Sequence, residues 1–233
     1  TAVMPGNGTL SGNGRMRVRG GDDWNVALKA DKVAIEKNMV PMVATMFPML
    51  ASADQQVAGN INADFVIKGN GLTWEAMRPS LDGTGEISLT GLQMPTGSLL
   101  AQVASLAGRA DGAIDLNNAG ASFGVKDGWV NFSRLSASGK KVRYDFAGRV
   151  SLTGQLDLNM DLMPLVQAFG GGKAYGELAK AGIKEMPMRI QGTTAKPDIK
   201  APKAEDFLKG AASGLIEKGL GKALDRIGRG GDK

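Results

Sequence analysis

Cysteine and histidine are both missing from the 233 residues, and aromatic side chains are few: three Trp, two Tyr and seven Phe. Without histidine or cysteine the chain cannot form a Ser-His-Asp triad, a thiol nucleophile, a disulfide bond or a zinc site of thiolate and imidazole ligands. Any catalysis would therefore have to use carboxylates, Lys, Tyr or hydroxyl groups.

Long hydrophobic runs and clusters of one charge are missing as well. The longest apolar stretch, Met39 to Ala51, has 13 residues and contains two prolines, whereas a membrane-spanning helix needs about 20. The net charge of +5 comes from scattered basic residues, and such a pattern with few aromatics argues against nucleic-acid binding. The first residues show neither an initiator Met nor a signal-peptide pattern, so we expect an excerpt of a longer protein or a processed product.

Glycine, by contrast, is abundant, with 34 residues, about twice the usual share. Several of these glycines mark hairpin turns. The clearest is Asp127-Gly128, which pairs Val125 with Val130 and Phe123 with Phe132 on one face of two antiparallel strands.

Two further hairpins extend this pattern into a four-stranded meander. Closing at Gly139-Lys140 would pair Leu135 with Tyr144, and a loop over residues 153–155 would pair Leu152 with Leu156. Phe132 and Leu135 of the second strand both belong to the apolar face, although strict alternation would place them on opposite faces. This mismatch of one residue predicts a bulge at residues 133–134. One face of the meander is then apolar and the other charged.

Alternating segments elsewhere predict additional strands of the same sheet, and apolar residues at helical spacing predict a few helices. The strands are Leu10 to Val18, Trp24 to Ala30, Ile61 to Lys68, Glu86 to Leu92 and Met186 to Gln191; the helices are one capped by Asn38, one over Thr73 to Met77 that stops before Pro79, one over Gly97 to Arg109, and an interrupted one over Pro164 to Ile183. We therefore predict a β-dominated (α+β) fold, a curved, mostly antiparallel meander with one apolar face and a few flanking helices. The β-rich module is predicted to cover residues 1–202, and an amphipathic helix and tail residues 203–233.

Motifs of catalysis and metal binding fail on inspection. The G-x-S-x-G match at residues 120–124 has no His to act as the base and lies in a predicted strand. The calcium-loop start at Asp157 lacks the Gly and Glu that the loop requires, since Leu162 and Ala168 occupy those positions. We expect no enzyme activity, no cofactor and no metal; a hydrolase of glycans or lipids based on paired carboxylates is the less favoured alternative.

The apolar segments favour two interpretations, a closed core or a site for a hydrophobic ligand. Methionines recur at helical spacing near residue 42, and flexible Met side chains suit both a core helix and a variable apolar ligand. The apolar sheet face needs a cover, and the predicted helices are few and interrupted by glycine. An uncovered face of this kind would bind a partner or lipid.

The order of these elements resembles the C-terminal region of the AsmA-like family of bacterial envelope proteins, over about residues 60–202. The resemblance is carried by segments that follow in order: residues 72–75, 80–89, 121–128, 144–152, 156–162, 186–193 and 196–199. It implies a periplasmic module of a protein anchored in the inner membrane by a segment outside this chain. It also implies a β-groove that binds or conveys phospholipid and supports outer-membrane maintenance or assembly.

The expected ligand is therefore a phospholipid or another acyl chain, bound by the apolar sheet face and the Met-rich helix. The candidate lipid-binding residues are Met42, Met46, Phe65, Ile67, Phe123, Val125, Phe132, Val142, Tyr144, Phe146, Leu156, Leu158 and Met160. A structural module that binds other envelope proteins, through a strand edge or the C-terminal helix, is the alternative. Nucleic acid is not an expected partner.

Overall fold

A computed structural model describes residues 2–3, 8–17, 22–50, 57–93, 99–107, 116–169, 176, 178–180 and 182–200. Its strands are β1 (Ala2–Val3), β2 (Thr9–Arg17), β3 (Asp23–Ala34), β4 (Ala58–Asn70), β5 (Asp82–Gln93), β6 (Leu116–Lys126), β7 (Trp129–Gly139), β8 (Arg143–Ser151), β9 (Leu156–Asp161), β10 (Pro187–Gly192) and β11 (Pro197–Lys200). Its helices are α1 (Val40–Met46), α2 (Trp74–Ser80), α3 (Leu99–Leu106) and α4 (Met163–Phe169), with short 3-10 helices at Lys37–Met39 and Pro48–Leu50.

The strands form one sheet in which each strand pairs antiparallel with its neighbours in chain order, from β1 to β11. Within the described residues the sheet is open, because β1 and β11 each pair on one side only. The predicted fold class, a β-dominated meander with few helices, is confirmed. The predicted C-terminal helix lies outside the described residues. None of the described helices is long and apolar enough to span a membrane.

Strand register places apolar residues on a single face that runs across ten strands. Leu28 of β3 lies opposite Phe65 of β4, and Leu135 of β7 lies opposite Phe146 of β8. The same face continues to β11, where Ile199 lies opposite Ile190. Because side chains alternate along every strand, the charged residues of these strands fall on the other face.

The two halves of this face differ in burial. From β6 to β10 the inward side chains, such as Val130, Val150 and Leu158, are almost completely buried. In β3 to β5 several are only half-buried, among them Leu28 and Phe65. The half built from β6 to β10 is therefore a closed core, whereas the half built from β3 to β5 is partly accessible.

The hairpin predictions are correct at one turn and shifted at two. Asp127 and Gly128 both adopt positive φ, and Val125 pairs with Val130 as predicted. In the second hairpin Leu135 pairs with Phe146, two residues beyond the predicted partner. The turn is longer than predicted because the Gly139 N–H donates to the Val142 carbonyl, which closes the loop outside Lys140 and Lys141.

The third hairpin is shifted by two residues as well, so that Val150 pairs with Leu156. Ser151 and Gln155 close this loop one residue earlier than predicted: the Ser151 N–H donates to the Gln155 carbonyl at 2.9 Å, and the Ser151 hydroxyl accepts from the Gln155 N–H at 2.8 Å. Both shifts are even numbers of residues, which keeps the apolar residues on the same face. The predicted bulge is confirmed, since the β7–β8 register shifts between Phe132 and Leu135.

Two predicted helix boundaries are wrong. Asn38 does not cap α1, because it lies in the preceding 3-10 helix and the Val40 N–H finds the Lys37 carbonyl as its acceptor. Helix α2 does not stop before Pro79 but continues to Ser80, whose hydroxyl donates to the Met77 carbonyl at 2.8 Å. The N-cap of α2 is Thr73, whose side chain accepts from the Ala76 N–H.

The other two helices lie where the sequence indicates. Helix α3 falls within the predicted range and buries Leu99, Leu100 and Val103. Helix α4 covers the start of the predicted interrupted helix, and residues 178–180 are helical near its end, whereas residues 170–175 lie outside the described part of the chain.

Candidate functional site

A cavity of about 370 Å³ lies between the apolar sheet face and the segment that contains α1. Every side chain that lines it is apolar: Leu10, Leu28, Ala30, Val33, Met39, Val43, Met46, Phe47, Ile61, Ala63, Phe65, Ile67, Ile87, Leu89 and Phe123. Among the described residues, no acid, base, nucleophile or hydrogen-bonding side chain belongs to this lining. We refer to this space as the apolar cavity.

The floor of the apolar cavity is made by strands β3, β4 and β5, where small residues meet. Ala30 lies opposite Ala63, and Ala63 lies opposite Ile87 on the next strand. Two alanines side by side leave space beneath α1 that larger residues would fill. The strand alternation therefore supplies both the apolar character of the floor and its depth.

A glycine on the same face brings two aromatic rings together at the wall. A Cβ atom at Gly85 would lie 2.5 Å from the Phe65 Cβ and 2.8 Å from the Phe123 Cζ. Real Cβ atoms do not approach that closely, so a side chain here would displace one of the rings. Glycine at residue 85 thus allows Phe65 and Phe123 to form a continuous wall.

The roof comes from the Met-rich segment. Val43 and Phe47 are buried against the sheet, whereas Met39 and Met46 are half-buried. Pro41 lies in the first turn of α1, where its missing N–H costs no helical hydrogen bond. Unbranched Met side chains can change rotamer at low cost, so this roof can adapt to ligands of different shape.

Towards the start of β3 the apolar cavity is followed by a second hollow of about 420 Å³. Val26 lines this second hollow and faces Ile67 of the cavity wall across the strand pair. Its other lining residues are Gly14, Arg15, Met16, Trp24, Gly71, Leu72 and Met77. Met16 is 57% and Leu72 60% exposed. Apolar surface therefore continues from the buried cavity to the solvent-exposed end of the strands.

Trp24 separates the second hollow from the more polar surface beyond it. Its indole N–H donates to the Gly71 carbonyl at 3.2 Å, and its ring lies over Gly69, where a Cβ atom would be 2.7 Å from the Trp24 Cζ2. The ring is held in place by both contacts. It presents an apolar surface to the hollow while its polar atom is satisfied.

Four of the predicted lipid-binding residues lie together in the lining of the apolar cavity: Met46, Phe65, Ile67 and Phe123. Met42 belongs to α1, but its side chain lies outside what the structure describes. The remaining predicted residues lie in the β6 to β9 half, away from this cavity. Of these, Val125, Phe132, Tyr144, Phe146, Leu156, Leu158 and Met160 are buried in the core, and Val142 is half-buried.

Sequence reasoning missed most of the floor. Leu28, Ala30, Ala63 and Ile87 were not singled out, although each lies in or beside a segment predicted as a strand. A signal was present, because extending the in-out alternation of the meander to these earlier strands assigns them to the same face. Because alanine contributes little to hydrophobic periodicity, the sequence did not indicate how deep the floor of the cavity is.

Charged groups cluster instead on the opposite face of the sheet. Asp157 accepts a hydrogen bond from Arg189 at 2.8 Å and lies 3.5 Å from Arg149, whose guanidinium stacks 4.3 Å from the centroid of the Trp129 ring. The hydrogen bond from Arg189, aided by the positive charges of both arginines, lowers the pKa of Asp157 below its ordinary value. Across the described residues no group of three or more acidic side chains is placed to hold a metal ion.

Comparison of the chain with protein-family models, curated proteins and solved structures finds no significant match. The resemblance to the AsmA-like family stays a prediction from the sequence.

Proposed function

We propose that this chain is a lipid-binding module of the bacterial cell envelope, with no catalytic role, that takes a phospholipid acyl chain into the apolar cavity. The observation that carries the proposal is a cavity with an entirely apolar lining that continues into accessible apolar surface on the same sheet face. The resemblance to AsmA-like proteins supports a periplasmic location and a role in outer-membrane maintenance.

The volume argues that the space is a site and not a packing defect. Protein interiors leave few voids larger than one water molecule. At about 370 Å³ the apolar cavity is roughly twelve times the volume share of a water molecule, about 30 Å³. It also falls within the range of about 300–1,000 Å³ that is typical of small-molecule sites.

Hydrophobic burial supplies the binding free energy. Each methylene group that moves from water into an apolar site gains about 0.8 kcal/mol, so several methylene groups suffice for a stable complex. Because the described part of the lining offers no polar anchor, contacts are individually weak and spread along the acyl chain. Such a site binds acyl chains of different length and permits a bound chain to slide along it.

The free edge of β2 favours a second role, assembly with other envelope proteins. Among the described strands, β1 pairs only with residues 9 and 10 of β2, so that residues 11–17 have no partner on that side. Unpaired strand edges accept a further strand by backbone hydrogen bonding. A strand of a partner protein could therefore extend the sheet here.

The proposal is tested by comparing two substitutions on the same strand. Ile67→Asn introduces an amide into the cavity wall, where an unpaired polar group costs about 1–3 kcal/mol, so we expect affinity for an acyl probe to fall about tenfold or more. Val66→Asn is the matched control, because Val66 is 46% exposed and its side chain points to the opposite face. The readouts are the phospholipid that co-purifies from bacteria, by mass spectrometry, and titration with cis-parinaric acid.

A cavity-filling variant provides an independent test. Ala63→Phe places a ring in the floor and should exclude the probe, with folding checked by circular dichroism. If the unmodified chain carries no phospholipid and does not bind the probe, or if both asparagine variants lose binding equally, the apolar cavity is not an acyl-chain site.

A further inference from the structure

The inward residues of β3 become more accessible towards the start of the strand. Val33 and Ala30, which line the apolar cavity, are buried. The next inward residues are half-buried: Leu28, Val26 and Trp24. On this strand the deep end of the cavity therefore lies at Val33, and the accessible end lies at Trp24.

Strand β4 shows the same gradient beside it. Ile61 and Ala63 are buried, whereas Phe65 and Ile67 are half-buried. Because β3 and β4 are antiparallel, their buried ends lie side by side, and Ile61 is paired with Val33. Both strands thus become accessible towards the same end of the sheet, which is the end that holds the second hollow.

The second hollow and the apolar cavity belong to one sheet face and meet at one pair of residues. Val26 lines the hollow, Ile67 lines the cavity, and the two residues are paired across β3 and β4. On the other side of Val26 lies Gly14 of β2, which has no side chain. A chain that passes from the hollow into the cavity therefore runs over Val26 and Ile67.

The length of this path suits one acyl chain. From Trp24 to Ala30 it covers six residues of β3, about 20 Å at about 3.3 Å per residue. An acyl chain that fills one leaflet, half of a hydrocarbon core of about 30 Å, is long enough to reach from the hollow into the cavity. A polar headgroup does not follow, because the described lining of the cavity is apolar and burial of a polar group without a partner is unfavourable.

We propose that the second hollow is the entrance of the apolar cavity. The acyl chain of a lipid enters tail first past Met16 and Leu72, runs over Val26 and ends beneath α1, while the headgroup stays in solvent beside Trp24. This inference rests on the proposed acyl-chain site. It adds the direction in which the lipid is bound and the residue that controls its entry.

Trp24 reports on this direction, because a bromine atom quenches indole fluorescence only at short range. In Trp74→Phe/Trp129→Phe, Trp24 is the only tryptophan that remains. The ligands are palmitic acids brominated either next to the carboxyl group (α-bromopalmitic acid) or at the end of the chain (ω-bromopalmitic acid). Because the two ends of the path lie about 20 Å apart, we expect the α-bromo ligand to quench Trp24 several-fold more strongly. Native mass spectrometry checks that both ligands are bound.

A second test enlarges the residue that the acyl chain must pass. In Val26→Phe the ring obstructs the path, so we expect the affinity for palmitoyl lysophosphatidylglycerol to fall about tenfold, which corresponds to about 1.4 kcal/mol. Val66→Phe is the matched control, because Val66 is exposed on the opposite face of the neighbouring strand; it should leave the affinity unchanged. Isothermal calorimetry below the critical micelle concentration measures both affinities, and circular dichroism checks folding. The quenching test does not depend on any substitution at Val26.

The outcomes separate the entrance from the acyl-chain site. Stronger quenching by the ω-bromo ligand would reverse the direction, as expected for entry through the roof, where Met39 and Met46 are half-buried. Equal quenching by the two bound ligands, or the same affinity in Val26→Phe and Val66→Phe, also overturns the entrance. Each of these results leaves the acyl-chain site intact. That site fails if neither brominated acid binds the unmodified chain.

Discussion

Asp157 shows how a single side chain links the pH dependence of stability to the polar face of the sheet. Its pKa is lowered, first by the hydrogen bond from Arg189 and then by the charges of Arg189 and Arg149. Since the pKa of the folded state lies below that of the unfolded chain, the ionised carboxylate stabilises the fold above a pH of about 4. This contribution is lost as the pH falls through the lowered pKa.

We predict that Arg189→Gln raises the pKa of Asp157 towards its ordinary value. At neutral pH the variant should lose at most about 1 kcal/mol of unfolding free energy, because the pair is exposed to solvent. The difference from the unmodified chain should shrink at acid pH, as the pH falls through the lowered pKa of Asp157 and the carboxylate becomes protonated in both states. Urea unfolding at neutral and at acid pH and an NMR titration of the Asp157 carboxyl measure these effects.

Arg143→Gln serves as the control for this prediction. Arg143 is on the same face and bonds to Asp145 at 2.7 Å, without contact to Asp157. Its removal should leave the Asp157 titration unchanged. An Asp157 titration curve that is the same in Arg189→Gln and in the unmodified chain would show that the hydrogen bond does not set the pKa.

At the level of single residues, only those glycines that act within a local turn were predictable. Asp127-Gly128 is recognised from two adjacent residues, because the turn type itself requires positive φ. Gly85 is different: its role depends on the rings of Phe65 and Phe123, which come from the strands on either side. No local pattern contains that information, since it arises only once three strands have paired.

Secondary-structure elements were easier to predict than the contacts that align them. Period-two alternation located β2, β3, β4, β5 and β10 to within a few residues, whereas the registers of two hairpins were shifted. At β8–β9 the hydroxyl of Ser151 bonds to the Gln155 N–H and reinforces the backbone hydrogen bond between the same two residues. A side-chain hydrogen bond of this kind competes with turn propensity and is not encoded in hydrophobic spacing.

Asp161 fixes three elements at once, and we predict that it is the most sensitive polar position in this region. Its Oδ1 accepts from the Met163 N–H at 2.9 Å and from the Met186 N–H at 2.7 Å. These bonds hold the end of β9 to the start of α4 and to the residue before β10. Asp161→Ala leaves two N–H groups without this acceptor, so we expect a loss of about 2 kcal/mol in unfolding free energy.

Two variants make the Asp161 prediction specific. Asp161→Asn keeps an acceptor oxygen and should lose less than half as much stability. Asn159→Ala removes a polar side chain from the exposed face of the same strand and should change stability by less than about 0.5 kcal/mol. Equal losses in Asp161→Ala and Asn159→Ala, measured by chemical unfolding, would mean that the two hydrogen bonds contribute nothing.

For the whole molecule, a single apolar face was predictable, but its division into a closed and an accessible half was not. Alternation alone assigns Leu28 and Leu158 to the same side of the sheet. Whether either is covered depends on where the helices pack, and α4 lies against β8, whereas α3 lies against the 3-10 helix at Pro48–Leu50. Those docking positions are tertiary contacts between segments far apart in the chain, which sequence periodicity does not specify.

This asymmetry predicts unequal local stability across one sheet. Strands β7 to β9 are paired on both sides and bury their inward side chains. Among the described strands, residues 11–17 of β2 have a partner on one side only, and several inward side chains of β3 are half-buried. Local opening should therefore cost less in β2 and β3, and we expect their amides to exchange about tenfold or more faster than those of β7 to β9. Hydrogen exchange followed by mass spectrometry measures this ratio.

Adding palmitoyl lysophosphatidylglycerol should slow exchange in β3 and β4 and leave β8 unchanged, because a ligand protects the segments that must open to release it. Uniform exchange along the sheet without ligand would contradict the unequal local stability. Ligand protection confined to β7 to β9 would place the ligand in the closed half and contradict the assignment of the apolar cavity as its site.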